Sequence, residues 1–182
     1  MAARWSILKD KIVFLDRDGV INQGASPHEY IKRKEDFHLL PGVGRAIQLL
    51  NSYHFLVVVI TNQRGIARKF MTNLDLEKVH TFMQEQLKKM GAHLDAIYTC
   101  PHEKGTCHCR KPEIGLFLQA EKRYKPDKNH SYMIGDSQSD IIAGKRYGVH
   151  TVAISENESW GADYCCHSLY EAVQWILQEE NK

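Results

Sequence analysis

The sequence predicts an α/β protein built on a single doubly wound, Rossmann-like parallel sheet, and three observations carry that expectation. Short runs that are apolar at every position recur along the chain. Such runs suit central strands covered by helices on both faces. Segments with helical apolar spacing lie between them, and strand–helix alternation is the pattern of a doubly wound sheet. No internal repeat, low-complexity tract or linker-like stretch breaks the alternation, so residues 1–182 read as one domain.

In chain order, Ile12-Val13-Phe14-Leu15 is the first candidate strand and ends at Asp16. Val43 to Leu50, after Pro41-Gly42, predicts a helix. Leu56 to Ile60 is the second strand and ends at Thr61. Leu76, Val79, Phe82, Met83, Leu87 and Met90 recur at helical spacing, and Thr72 with Asp75 has the form of a capping box. Leu94 to Tyr98 leads to Cys100, and Ile114 to Tyr124 is the next helix. Tyr132-Met133-Ile134 runs into Gly135-Asp136. Asp140 to Tyr147 is a helix closed by Gly148, Thr151 to Ile154 the last strand, and Leu169 to Leu177 the last helix. Ligands of such sheets bind beyond the carboxyl ends of the strands, so Asp16, Thr61 and Asp136 are expected to face one crevice.

Composition excludes little and points away from extremes. Apolar residues make up 43% and charged residues 25%, as in ordinary globular proteins. A formal net charge of +2 and the lack of an aromatic–basic stripe give no support to nucleic-acid or membrane binding. The longest apolar run, Phe55 to Ile60, is far short of the roughly 20 residues of a membrane span. Met1 to Ser6 does not lead into a secretory apolar stretch, so the expectation is a soluble, cytoplasmic monomer. Five cysteines, three of them between Cys100 and Cys109, read as metal binding rather than a disulfide framework.

The stretch Phe14-Leu15-Asp16-Arg17-Asp18-Gly19-Val20-Ile21-Asn22 carries the chemistry. Its two carboxylates leave a buried strand and meet a glycine turn. Asp16 suits a nucleophile that divides one hard displacement at phosphorus into two easier ones. Asp18 suits a general acid that becomes a base. Two acids facing a phosphate repel it unless a cation intervenes, and Mg²⁺ suits oxygen ligands. A surface turn would also use Asp and Gly, so the pair alone decides nothing. Thr61-Asn62 at a strand end offers a hydroxyl and backbone N–H groups to phosphate oxygens. Arg110-Lys111-Pro112 offers two cations. Asp136 is a candidate metal ligand, and Asp140 either orients Lys111 or holds a metal-bound water.

Taken in this order, the four blocks resemble the haloacid dehalogenase superfamily of phosphohydrolases. The resemblance implies that Asp16 is phosphorylated and Asp18 is the acid/base. It also implies that Mg²⁺ is held by Asp16, the Asp18 backbone carbonyl and Asp136, with Thr61 and Lys111 steadying the phosphoryl group. The stretches from Asp18 to Thr61 and from Thr61 to Lys111 are largely consumed by core helices, so the expected type is capless, with shielding left to loops.

Cys100-Pro101-His102 followed by Cys107-His108-Cys109 supplies N and S ligands at zinc-like spacing. Cys100, His102, Cys107 and Cys109 make the more regular set, with His108 a rival, and a closed four-ligand site is structural. Zinc there would knit the loop that delivers Arg110 and Lys111. Cys165 and Cys166 read as buried or half-buried thiols.

A zinc loop running into Arg-Lys-Pro looks like the histidinol-phosphatase and heptose-bisphosphate-phosphatase group. Thr61-Asn62-Gln63-Arg64-Gly65-Ile66-Ala67-Arg68 is closer to the heptose side of it. That resemblance implies removal of the 7-phosphate of D-glycero-D-manno-heptose 1,7-bisphosphate, a small phosphorylated sugar, with histidinol-phosphate and polynucleotide 3′-phosphate hydrolysis as alternatives. It also implies a substrate pocket formed by Arg17, Gly24, Ala25, Ser26, Pro27, Asn62, Gln63, Arg64, Arg110 and Ser137. Arg64, Lys69 and Ser137 depart from the residues common in the group. Counting cations, one phosphoryl group uses Mg²⁺, Lys111 and Thr61, which leaves Arg64, Arg68 and Arg110 expected to lack partners and to favour a substrate with a second phosphate.

Overall fold

The computed structural model describes residues 9–26 and 29–182. Its strands are β1 (Ile12–Leu15), β2 (Leu56–Asn62), β3 (Ala96–Cys100), β4 (Tyr132–Gly135), β5 (His150–Ile154) and β6 (Tyr164–Cys166). Its α-helices are α1 (Val43–Ser52), α2 (Asn73–Lys89), α3 (Gly115–Glu121), α4 (Gln138–Tyr147) and α5 (Leu169–Glu179). The strands form one parallel sheet in the order β3-β2-β1-β4-β5-β6. The chain winds outward from β1 through β2 to β3, then restarts at β4 on the other side of β1. The topological switch therefore lies between β1 and β4, where a crevice opens at the carboxyl ends of the strands.

The period-2 alternation of side chains divides the core into two layers. Val13, Leu15, Val57, Val59, Ile134 and Val152 face α1, α2 and α5. Ile12, Phe14, Val58, Ile60 and Met133 face α3 and α4, where Phe14, Phe117 and Tyr147 pack ring against ring. Every residue of β1 and β4 is buried, as the unbroken apolar runs require. Thr72 caps α2 as expected: its hydroxyl accepts from the Asp75 N–H at 3.1 Å, and Asp75 accepts from the Thr72 N–H at 2.9 Å. Gly148 closes α4 with φ 90°. Among the described residues no helix is long and apolar enough to cross a membrane.

Two features lay outside the sequence reading. Tyr164–Cys166 forms a sixth, edge strand paired to β5; Cys166 is buried as expected, but Cys165 is exposed rather than buried or half-buried, because neighbours on a strand point to opposite faces. Among the described residues of 16–42, between β1 and α1, the named regular element is a 3₁₀ turn at Lys34–Asp36, and none of those described residues forms a separate layer of helices or strands over the crevice.

Helix α4 lies close against the sheet because Gly144 has no side chain. A Cβ there would stand 2.7 Å from Thr151 Cγ2 and 2.8 Å from Met133 Cβ. We expect Gly144→Ala to lower stability by about 1–2 kcal/mol, overpacking of about 1–3 kcal/mol outweighing the ~1 kcal/mol that alanine gains in a helix. Urea unfolding checks this, and an unchanged or higher midpoint would show that α4 can move off the sheet without loss.

Candidate active site

Asp16 follows β1 directly, and its backbone N–H donates to Ile134 O at 3.0 Å, which ties it to β4. The chain then turns through Gly19, whose φ is 84° and whose missing side chain leaves room for the Asp136 carboxylate. The turn closes with Gly19 N–H donating to Asn22 O at 2.8 Å. Asp136, at the end of β4, thereby reaches Asp16. Carboxylate oxygens of Asp16, Asp136 and Asp140 lie within 4.8 Å of one another.

One buried cation faces this cluster. Lys111 is 3% exposed, with Nζ 2.9 Å from Asp16 Oδ1 and 2.7 Å from Asp140 Oδ1, and it donates to Ile60 O at 2.6 Å. Asn62 fixes the lysine's backbone: its side-chain oxygen accepts from Lys111 N–H at 3.0 Å and its amide donates to Lys111 O at 3.1 Å. Asp140 takes its place at the start of α4, where its other oxygen accepts from the Ser137 N–H at 3.1 Å and hydroxyl at 2.6 Å. Of the two roles left open for Asp140, the geometry favours orienting Lys111.

Three carboxylates against one ammonium leave a deficit of positive charge. Burial, with Asp140 and Asp18 nearby, pushes Asp16 up to about 6 despite Lys111. Burial and the charges of Asp16 and Asp140 push Asp136 up to about 7. Oxygen donors held together at this electrostatic cost fit a small divalent cation. Asp18 moves the other way. Burial opposes its ionisation, but Arg17 holds it below the usual carboxylate range, with help from Asn22 and Gln63. Arg17 Nη2 donates to both Asp18 oxygens at 2.7 and 2.8 Å, Asn22 Nδ2 to Oδ1 at 2.9 Å, and Gln63 Nε2 to Oδ2 at 2.9 Å.

The remaining sequence-selected residues divide. Arg17 departs from the expected substrate contact: it is 0% exposed, and its guanidinium is engaged by Asp18 and His80 in the interior. Thr61 is buried beside the acids, and its hydroxyl accepts from Gln63 Nε2 at 2.9 Å. Asn62, Arg64, Arg110 and Lys111 line a cavity of about 920 Å³. Ser137 does not line it, its hydroxyl being turned to Asp140 Oδ2 and Ser139; Gln138, Ser139 and Lys104 do. The Ser137-x-x-Asp140 spacing is itself a capping-box signal, of the same form as Thr72-x-x-Asp75. Gly24, Ala25 and Ser26 line a separate cavity of about 290 Å³ with Tyr30, and Pro27 lies outside the described residues. The three arginines expected to lack partners are not alike. Glu103 pairs with Arg64 at 3.4 Å and with Arg68 at 2.7 Å, whereas Arg110 Nη1 is buried with no hydrogen-bond partner among the described residues.

Cys100, His102, Cys107 and Cys109 converge at the edge of this cavity, which Cys107 also lines. The sulfurs are 3.2–3.5 Å apart, and His102 Nδ1 is 3.2 Å from Cys109 Sγ and 3.7 Å from Cys100 Sγ. A tetrahedral ion with bonds of about 2.3 Å places its ligands roughly 3.8 Å apart, so the donor set fits one. His108 is outside the group and lines the cavity instead. The loop is pinned to the end of β2 by Gln63 N–H donating to Cys100 O and Ala67 N–H to Pro101 O.

A parallel sheet that gathers three acids and a buried lysine at its switch point defines a class, the haloacid dehalogenase-type phosphatases. Comparison with known proteins agrees. The family model described as polynucleotide kinase 3 phosphatase matches residues 11–159. The D-glycero-beta-D-manno-heptose-1,7-bisphosphate 7-phosphatase of Helicobacter pylori strain J99 is 36% identical over 178 residues, covering 93% of this chain and 99% of that protein. The corresponding alpha-heptose enzyme of Campylobacter jejuni is 35% identical, covering 86% and 89%. The crystal structure of D,D-heptose 1,7-bisphosphate phosphatase from B. bronchiseptica, complexed with magnesium and phosphate, superposes with a TM-score of 0.84 at 31% identity, covering 93% of this chain and 99% of the other. The chain belongs to this family of haloacid dehalogenase phosphatases and is a phosphoric monoester hydrolase.

The ion pairs of Lys111 should dominate local stability. Removing one partner of a buried pair costs about 3–5 kcal/mol because the other charge stays buried. We expect Lys111→Met to lose about that much in urea unfolding at neutral pH, and adding Asp140→Asn to recover part of it. Additive losses in the double variant would show that Lys111 and Asp140 do not act as a pair.

Proposed function

We propose that this chain removes a phosphoryl group from a phosphorylated sugar through a phospho-aspartate on Asp16, and that the substrate is D-glycero-D-manno-heptose 1,7-bisphosphate, cleaved at the 7-phosphate. The observation that carries the reading is the Asp16 carboxylate at the end of β1, paired to buried Lys111, with Asp18 two residues on in an environment of opposite sign. In this reading an Asp16 oxygen attacks phosphorus while the bond to the sugar oxygen breaks, and Asp18 gives that oxygen a proton. Asp18, now a carboxylate, takes a proton from water as the water oxygen attacks phosphorus and frees Asp16. The carboxylate form of Asp18 described above is the one needed for the second half. An incoming phosphate dianion raises its proton affinity for the first.

Mg²⁺ held by Asp16, Asp136 and the Asp18 backbone carbonyl would neutralise charge between acids and phosphate when bound. Lys111 would share that work, and Thr61, released from Gln63, would donate to a phosphoryl oxygen. The open cavity suits a capless single domain. Arg110, with its buried unpaired Nη1, would take the substrate's second phosphate, a bidentate anion of the kind a guanidinium seeks.

The test is a panel of phosphate esters with added Mg²⁺. Heptose bisphosphate should exceed the matching monophosphate and histidinol phosphate by at least about tenfold in kcat/KM, since remote binding energy positions the reacting group. Arg110→Ala should erase most of that margin while hydrolysis of a small aryl phosphate continues. Asp16→Asn or EDTA should abolish turnover of every substrate. Near-normal kcat in Asp16→Asn would overturn the mechanism. The family description favours one second reading, a polynucleotide 3′-phosphatase, and an oligonucleotide 3′-phosphate outrunning every sugar in the panel would establish it.

We also propose that Cys100, His102, Cys107 and Cys109 hold one structural Zn²⁺. Elemental analysis of protein purified without added metal should find one zinc per chain. Cys107→Ser should lower both the melting temperature and activity, because binding energy at such a site is folding energy for the loop carrying Arg110 and Lys111. A zinc-free chain with full activity would leave the cluster as four unligated side chains.

A further inference from the structure

Helix α2 brings a polar group into contact with Arg17, the buried partner of Asp18. Its buried face, Leu76, Val79, Met83 and Leu87, docks on the sheet, and His80 stands beside that face. His80 Nε2 is 3.2 Å from Nη1 of Arg17. A guanidinium has no lone pair, so Nε2 must be the acceptor and the imidazole must be neutral, with its proton on Nδ1. The surroundings agree, since burial and the adjacent Arg17 charge push His80 down to about 3.

The bond fixes more than one atom. Arg17 is 0% exposed and planar, and its Nε and Nη2 both point at Asp18, at 3.1 Å and 2.7 Å from Oδ1. Holding Nη1 on the far side fixes the rotation of that plane about the side-chain axis. The carboxylate bound to the near edge is oriented with it. We infer that His80 is a positioning residue for the reaction, setting the orientation of the Asp18 acid/base through Arg17. The inference rests on the phospho-aspartate reading and extends its machinery to α2, a helix that carries none of the other site residues named above.

Asp18 is the group that protonates the leaving oxygen, so its misorientation should matter most where that oxygen is a poor leaving group. The experiment is the single-turnover rate of the first step across aryl phosphates of graded leaving-group pKa, together with a sugar phosphate. In His80→Ala the sugar phosphate should slow by about tenfold or more, the scale on which a misplaced catalytic group is felt, while 4-nitrophenyl phosphate stays within about twofold. The dependence on leaving-group pKa should steepen accordingly. His80→Gln places an amide oxygen near the position of Nε2 and should restore the shallow dependence of the parent; His80→Asn, too short to do so, should behave like His80→Ala. A purely structural role would lower all substrates by one factor, or the melting temperature alone, and either result overturns the inference. So would an unchanged dependence in His80→Gln and His80→Asn alike, which decides the matter even if His80→Ala fails to fold. Loss of the phospho-aspartate reading looks different: the parent protein itself would then turn over without Asp16.

Discussion

The structure depends first on the buried ammonium of Lys111. A charge this deep is tolerated only when paired, and its partners come from three other places in the fold: Asp16 after β1, Asp140 in α4 and the carbonyl of Ile60 in β2. The lysine arrives on a loop from β3 and is held at its backbone by Asn62. Four separate segments are thus brought into register by one side chain. The pairing is incomplete by design of composition: Asp16, Asp136 and Asp140 together outnumber the single lysine, and burial makes the excess expensive. A site in this condition gains from a divalent cation and from nothing apolar.

The same logic separates two acids that are nearly neighbours. Asp16 and Asp18 leave one strand within three residues, yet Asp16 is pushed up and Asp18 down. The difference is in what each side chain meets. Asp16 shares its lysine with Asp140, whereas Asp18 receives hydrogen bonds from Nε and Nη2 of one guanidinium and from two side-chain amides. Opposed environments are how two carboxylates acquire two roles in one site. Arg17, between them in sequence, is what makes the environments differ.

Much of this was legible in the sequence because it is local. Strands apolar on both faces gave the sheet, the Thr72–Asp75 box gave the start of α2, and strand ends marked Asp16, Thr61 and Asp136 as neighbours in space. The Cys100–Cys109 spacing gave a ligand set that the fold brings together. What escaped is non-local or lacks a run to recognise. Strand β6 is three residues, Tyr-Cys-Cys, and exists because β5 offers an edge to pair with. Arg17 was expected in the substrate pocket, whereas its guanidinium is buried between Asp18 and His80, the latter on another element, and Glu103 gave no sign of reaching Arg64 and Arg68. The spacing of Ser137 and Asp140 also spelled the start of α4, where the Ser137 N–H donates to Asp140.

The partnering of the arginines also narrows where selectivity can reside. Arg64 and Arg68 share one carboxylate at a partly exposed site, where ion pairs are worth little and where an incoming anion must first displace Glu103. Arg110 meets no such competition among the described residues, where its buried Nη1 has no hydrogen-bond partner. It is also the residue next to Lys111, on a loop pinned to β2 by Gln63 and Ala67. The group that would steady the reacting phosphoryl and the group that would hold a distant anion are therefore adjacent on one braced segment. Their separation is set by covalent geometry and by the Cys/His knot behind them. Two cations held at a fixed spacing on one segment are what the proposed substrate, a sugar carrying two phosphates, would require.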